Sequence, residues 1–208
     1  MGKEFFKGNL AYEQSSKQID KEVAYSYLLN ERIIFLMDEI EDDLADSIVT
    51  QLLILDLNDL NQDEQCKDIQ VFINSPGGSV CAGLAIYDVI QNIRANVSTF
   101  CLGWSAGIAA VLLAAGSKGK RACFPYAKIW LHQPMGGFGM TGLYQFSDMD
   151  LHLKEFLHYK TLFKEILSFH TGQEMKKVEA DMDMDNYMSA NESLDYGLID
   201  FIISKNQL

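Results

Sequence analysis

Basic residues are scarce: 17 Lys and Arg stand against 29 Asp and Glu, a formal net charge of −12. Nucleic acids and anionic membrane surfaces reward clustered Lys and Arg, so neither is an expected partner. An uninterrupted apolar run of about 18 residues is missing too, which leaves no candidate for a membrane-spanning helix. The N-terminus lacks the apolar core of a signal peptide and the Arg-rich character of a transit segment, which does not bear on a leader already removed. Cys66, Cys81, Cys101 and Cys123 are widely spaced, with no C-x-x-C and no cysteine–histidine ligand pattern. They read as reduced thiols filling a core in a reducing compartment, not as a disulfide framework or a zinc site. The acidic run Asp181, Asp183, Asp185 lacks the central glycine and terminal glutamate of a calcium loop. No spacing therefore calls for a metal, and nothing points to a cofactor.

What is present fits one domain: 208 residues, 48% hydrophobic and 22% charged, can bury a full core. Residues 1–24 are polar and weakly patterned, a segment expected to be mobile, and 25–208 form the single domain. A strand is expected at Ile33–Met37. Asp42 and Asp43 then open a helix with Leu44, Ile48, Val49, Leu52 and Leu55 on one face. A polar loop over 58–67 leads to a strand at Ile69–Ile73, ending in Asn74-Ser75-Pro76-Gly77-Gly78. A helix over 79–93 places Leu84, Val89, Ile90 and Ile93 inward, and Val97–Leu102 returns as a strand. Strands alternating with helices predict α/β layers with a parallel sheet. A glycine-rich start at Gly139 leads to a long helix reaching Phe169, apolar on more than one face, which calls for a partner chain. Along it lie His152, His158 and His170, spaced unlike a metal-binding pair and expected at a surface or interface. Ser189 and Glu192 form a capping box, and Gly197 closes the short helix that follows.

The organising stretch is 101–137. It reads as the end of an apolar strand, a turn at Gly103, a small-residue helix over about 107–115, a basic turn, and a strand ending at His132. A strand feeding a tight turn and a helix is where a nucleophile or oxyanion site is built. Gly103-Trp104-Ser105-Ala106-Gly107 matches the G-x-S-x-G nucleophile elbow, with Ser105 as the apparent attacker. That elbow needs an acid and then a histidine downstream, whereas His132 precedes every acid near the C-terminus. The Pro76-Gly77-Gly78 turn is either a backbone site or a plain strand-to-helix connection.

The order Ser, His, Asp comes with specific phrases: YSYLLNERIIFL at 25–36, FINSPGGSV at 72–80, AGLAIYDVIQNI at 82–93, LLAAGSKGKR at 112–121, LHQPMGG at 131–137, HTGQ at 170–173 and SANESLDYGLID at 189–200. Together they resemble the proteolytic subunit of the Clp protease, ClpP, over roughly residues 24–203. The resemblance implies a ClpP/crotonase-like α/β fold, with layered parallel-sheet βαβ units and a protruding handle helix at about 139–170. The N-terminal segment would then form axial loops. In that family the serine lies in a phrase like G-x-A-A-S-M. Placing Cys101-Leu102-Gly103 and Leu112-Leu113-Ala114-Ala115-Gly116 in register puts the nucleophile's position on Gly107, and Ser105 falls two residues early. The family's histidine corresponds to His132, its aspartate to Asp185, and its oxyanion-hole amides to Gly78 and Ile108.

The resemblance further implies a homo- or hetero-heptamer with ClpP-type subunits, a Clp ATPase chaperone as partner, and unfolded proteins as the substrates of the complex. Met184 stands where the family usually has an arginine that pairs between rings. Serine-less paralogues, called ClpR, occur in cyanobacteria and plastids, and the chain looks like one of them. The implied role is a catalytically inactive ring subunit in a plastid stroma (chloroplast or apicoplast), or in the cytoplasm if cyanobacterial. Two alternatives stand beside it: a working serine peptidase using Ser105 or another serine, and a crotonase-like acyl-CoA enzyme. Because His132 and Asp185 are retained, Gly107→Ser is expected to restore weak peptidase activity.

Overall fold

The computed structural model describes residues 20–58, 66–134 and 146–204. Its elements are α1 (Lys21–Asn30), β1 (Ile33–Leu36), α2 (Asp42–Asn58), β2 (Ile69–Ser75), α3 (Val80–Asn92), β3 (Val97–Ala106) and α4 (Ile108–Ala114). They continue with β4 (Arg121–Cys123), β5 (Lys128–Leu131), α5 (Phe146–Thr171), α6 (Met175–Asp183), β6 (Asn186–Ser189), α7 (Ala190–Tyr196) and β7 (Phe201–Ile202). Most of the polar loop over 58–67, the start of the expected handle, and most of the N-terminal segment lie outside the described residues. The four residues of that segment from Lys21 onward belong to α1, capped by the Asp20 side chain.

The strands form a seven-stranded sheet with the order β1-β2-β3-β4-β7, all parallel; β5 also runs parallel to β3, and β6 pairs antiparallel with β5. The expected α/β layering with a mostly parallel sheet is what the chain adopts. A parallel strand needs a crossover, and the helices between successive strands supply it. One face of the sheet carries the main core. Ile48, Leu52 and Leu55 from α2 and Ile86 and Ile90 from α3 pack there, with every residue of α4 buried. A helix apolar all round must be an interior helix, and Ala109, Ala110 and Ala114 keep it thin enough to lie between layers. In α3 the buried side is Ala82, Gly83, Ile86 and Ile90, while Leu84, Val89 and Ile93 are only partly covered. The inward face was thus expected too far round, because small residues at a close helix contact carry little hydrophobic signal.

The opposite face is thinner. Phe35, Phe72 and Phe100 are register neighbours on β1, β2 and β3, with ring centroids 5.6 and 4.9 Å apart, and Tyr25 of α1 meets Phe35 edge-on at 5.5 Å. In the centre of the sheet Cys101 and Cys123 face each other on β3 and β4, both buried and both free. Cys66 is half-buried and Cys81 exposed, so only two of the four thiols fill the core as expected.

Two local departures shape the site. Strand β3 does not turn at Gly103 but runs on to Ala106 through a register shift, in which Ile73 pairs with Cys101 and Ser75 with Ser105. The Asn74 side-chain oxygen accepts the Trp104 amide at 3.1 Å and holds that bulge. Between the basic turn and His132 the chain makes two strands, β4 and β5, rather than one, and β5 crosses to the far end of β3.

Helix α5 changes character along its length. Phe163, Ile166 and Leu167 are buried, whereas Met149, Leu151, Leu153 and Leu157 are exposed, the last two at 54% and 56%. His152 and His158 are exposed as expected. His170 is instead half-buried, its Nε2 3.0 Å from the Tyr87 hydroxyl. No helix among the described residues is long and apolar enough to cross a membrane.

Candidate active site

Three chain segments meet at the carboxyl end of β3, the side of an α/β sheet where ligand sites are built. The first is the Pro76-Gly77-Gly78 turn. Ser75 Oγ donates to the Asp38 carbonyl at 2.6 Å and accepts the Gly77 amide at 3.1 Å. The Ile40 amide donates to the Gly77 carbonyl, and the Ser79 amide to the Ile40 carbonyl, each at 2.7 Å. Gly78 has φ +148°, and a Cβ there would lie 2.7 Å from the Ile40 nitrogen. Only glycine lets these two backbones close on each other.

The second segment is Gly107, the residue between β3 and α4. Its backbone has φ +54° and ψ −122°, outside the regions that L-residues favour. Its amide donates to the Trp130 carbonyl at 3.0 Å, which fixes the turn against β5. A Cβ on Gly107 would fall 2.8 Å from His132 Nε2 and 3.0 Å from Cε1. The missing side chain would therefore point straight at the imidazole.

The third segment carries His132 and Asp185. In the β5–β6 ladder Lys128 pairs with Ser189 and Leu131 with Asn186, so the next facing pair, just beyond the ladder, is His132 and Asp185. Facing antiparallel residues share a face and lie within side-chain reach. His132 is thus brought against Gly107, and Asp185 lies one residue before β6, beside the end of β5. They are not joined, however. His132 Nδ1 donates to the Gln133 carbonyl at 2.9 Å, Asp185 is exposed, and no hydrogen bond links Asp185 to His132 among the described residues. In the neutral ring this tautomer leaves the Nε2 lone pair facing Gly107, the orientation of a general base.

Between these segments lies a cavity of about 310 Å³, lined by Glu39, Gly78, Gly107, Ile108, His132 and Phe163 among others. Among the described residues neither the Gly78 nor the Ile108 amide has a hydrogen-bond acceptor. Two free amides, a base and a carboxylate opposite it would suit an acyl-transfer site, in which the amides take the carbonyl oxygen. Ser105 takes no part. It is fully buried, does not line the cavity, and its Oγ has no hydrogen-bond partner among the described residues. The G-x-S-x-G pattern lies at the end of β3 and not on a turn.

The model of the Clp protease family matches residues 15–206. The chain belongs to the Clp protease family. That match embraces nearly the whole sequence and every segment of the site, so the domain is a ClpP-like one throughout, with the Clp protease fold. A Clp protease family role and assembly into a protease chamber are what such membership suggests.

Two residues at the site escape motif reading. Glu39 reaches the cavity only because Ile40 pairs with Gly78, a contact with no local signature. Trp130 lies two residues before His132 on a strand, hence on the same face; that alternation was readable, but the neighbours that complete its setting come from other strands. Trp104 of β3 and Tyr187 of β6 stack on either side of it, with centroids 6.2 and 4.8 Å away. The same indole meets the His132 ring at 4.7 Å. No group of three or more His, Cys, Asp or Glu suited to a metal occurs among the described residues.

Proposed function

We propose that the chain is a catalytically silent, ClpR-type subunit of a Clp proteolytic ring. The observation that carries this reading is Gly107, which offers no atom to attack a carbonyl at the one place that faces His132 Nε2. Losing the serine of a Ser-His-Asp triad costs on the order of 10⁶-fold in kcat, leaving only weak assistance from the oxyanion amides. A ring subunit needs only its fold and its surfaces. Exposed Leu151, Leu153 and Leu157 on the outer half of α5 supply an apolar surface of the kind that a second subunit covers. The expected assembly is a heptamer, alone or mixed with ClpP-type subunits, serving a Clp ATPase and unfolded protein substrates in a plastid stroma or a cyanobacterial cytoplasm. Met184, 78% exposed beside Asp185, cannot supply an arginine ion pair, so single rings should outnumber stacked ones.

The purified chain should hydrolyse neither short fluorogenic peptides nor casein, with or without a Clp ATPase. Turnover that disappears in Ser105→Ala would overturn the silent reading in favour of an active peptidase. Sedimentation at micromolar concentration should give a ring; a monomer of 23.5 kDa would overturn the assembly.

A further inference from the structure

Resting on the silent reading, the structure points to a second obstacle at the same site: we propose that Trp130 is a positioning residue that locks His132 over Gly107. The geometry around the imidazole leaves it little freedom. Its Nδ1 is engaged by the Gln133 carbonyl at 2.9 Å, and the Trp130 ring lies against it at 4.7 Å with a tilt of 52°. Trp130 in turn is held between the parallel rings of Trp104 and Tyr187, at interplanar angles of 22° and 20°. Its own carbonyl accepts the Gly107 amide, so the lock and the missing-nucleophile position share one hydrogen bond.

The indole sits there without a hydrogen bond of its own. Trp130 Nε1 is buried and has no acceptor among the described residues, an arrangement that generally costs about 1–3 kcal/mol. Packing, not polar anchoring, keeps it in place. The consequence falls on Gly107. A serine there would put its Cβ 2.8 Å from Nε2, which is the distance a hydroxyl oxygen should have from a base, not a carbon. For Oγ to be the atom that Nε2 approaches, the imidazole must withdraw by roughly an ångström, and errors of that size cost about 10²-fold in rate. It must also turn Nδ1 from Gln133 toward Asp185, which has no hydrogen bond among the described residues. The aromatic sandwich opposes both movements. Restoring the serine alone should therefore give only slow reaction, and faster reaction requires release of Trp130 as well.

The test uses the full chain and labelling by a fluorophosphonate, which reads an activated serine without needing turnover. Gly107→Ser should label slowly. Adding Trp130→Met, which keeps a smaller apolar side chain and removes the ring sandwich, should accelerate labelling at least about 10-fold, on the rate argument above. Adding His132→Ala to that pair should abolish the gain, and Gly107→Ser with Trp130→Phe, which keeps a ring in the stack, should stay slow. Equal labelling of Gly107→Ser with and without Trp130→Met overturns the lock, as does acceleration by Trp130→Phe equal to that by Trp130→Met. So does an unlabelled Gly107→Ser/Trp130→Met chain whose circular dichroism and sedimentation match those of the parent. If that pair does not fold, ring-nitrogen NMR of His132 in Trp130→Met alone decides the matter. The bond from Nδ1 to Gln133 should be lost or weakened, and unchanged nitrogen shifts overturn the lock. Labelling of the unaltered chain would instead overturn the silent reading itself, a distinct outcome.

Discussion

At the C-terminal end of α4, Arg121 is buried and fully used. Its Nε and Nη2 donate to Asp200 at 2.9 and 2.6 Å, and its Nη1 donates to the His170 carbonyl at 2.9 Å and the Ala114 carbonyl at 3.3 Å. At the N-terminal end of the same helix, Gly107 and Ile108 line an open cavity where the Gly78 and Ile108 amides have no acceptor among the described residues. The first end borders a cavity as well, about 360 Å³ with Arg121 and His170 in its wall, yet the Arg121 guanidinium is engaged by Asp200 and two carbonyls. A charge network closed on itself is a structural joint, since nothing is left over to recognise a ligand. A site keeps unmet hydrogen-bonding capacity, and the two free amides here line the cavity beside Gly107 and His132.

The comparison breaks most visibly at Arg121. Arg121→Met takes the guanidinium from Asp200 and two carbonyls and leaves the carboxylate only two backbone amides, and removing one partner of a buried pair costs about 3–5 kcal/mol. Urea unfolding should show a loss in that range; a loss below about 1 kcal/mol would mean that the joint is not structural.

The same joint should respond to acid. His170 is pushed down to about 4 from 6.5, first by burial and then by the charge of Arg121. Between those two values the unfolded chain binds a proton that the folded chain refuses, so stability falls as pH drops through this window and levels off below it. Partial exposure of the ring screens the effect to roughly 1–2 kcal/mol. Burial raises the Asp200 carboxyl, but the Arg121 and Gly119 hydrogen bonds and the Arg121 charge outweigh it and hold it below its usual 3.8. Its contribution is present above that value and is lost only as pH falls further, through the lowered one. Unfolding curves at successive pH values should separate the two steps, and His170→Gln should flatten the upper one alone.

The open end should tolerate change better. Gly107→Ala places a Cβ 2.8 Å from His132 Nε2 and a side chain in a sparsely populated backbone region that generally costs about 1–3 kcal/mol. The expected loss is thus smaller than at Arg121, and a larger one would show that the cavity is as rigid as the joint. Smallest of all, Leu153→Glu on the exposed half of α5 should leave the unfolding free energy of the isolated fold within about 0.5 kcal/mol, while reducing the sedimentation coefficient of any ring.

Much of this could be read from the chain. The parallel α/β order followed from alternating segments, the Ser189–Glu192 capping box and the left-handed Gly197 stand where spacing placed them, and the register of flanking phrases put Gly107 opposite His132. What stayed hidden depends on residues far apart in sequence. Gly103 looks like a turn because glycine usually marks one, yet Asn74 on the neighbouring strand carries β3 past it. His170 looked like a surface residue of a long helix until Tyr87 and Arg121 enclosed it. Trp104, Trp130 and Tyr187 meet because three adjacent strands carry them, Tyr187 as the register partner of Trp130 and Trp104 two residues before Ala106, the partner of Trp130 on β3, and no local pattern announces a sandwich assembled across a sheet.

The facing thiols of Cys101 and Cys123 turn the centre of that sheet into a timepiece. Burial, aided at Cys101 by its neighbour, pushes both up, Cys123 to about 11, so neither presents a thiolate to a disulfide reagent while β3 and β4 stay paired. Cys81, out on α3, is open to reagent throughout. Modification of the first pair therefore counts openings of the innermost ladder, with the exposed thiol as a zero-time mark, and the two hands advance together if β3 and β4 part as one cooperative unit.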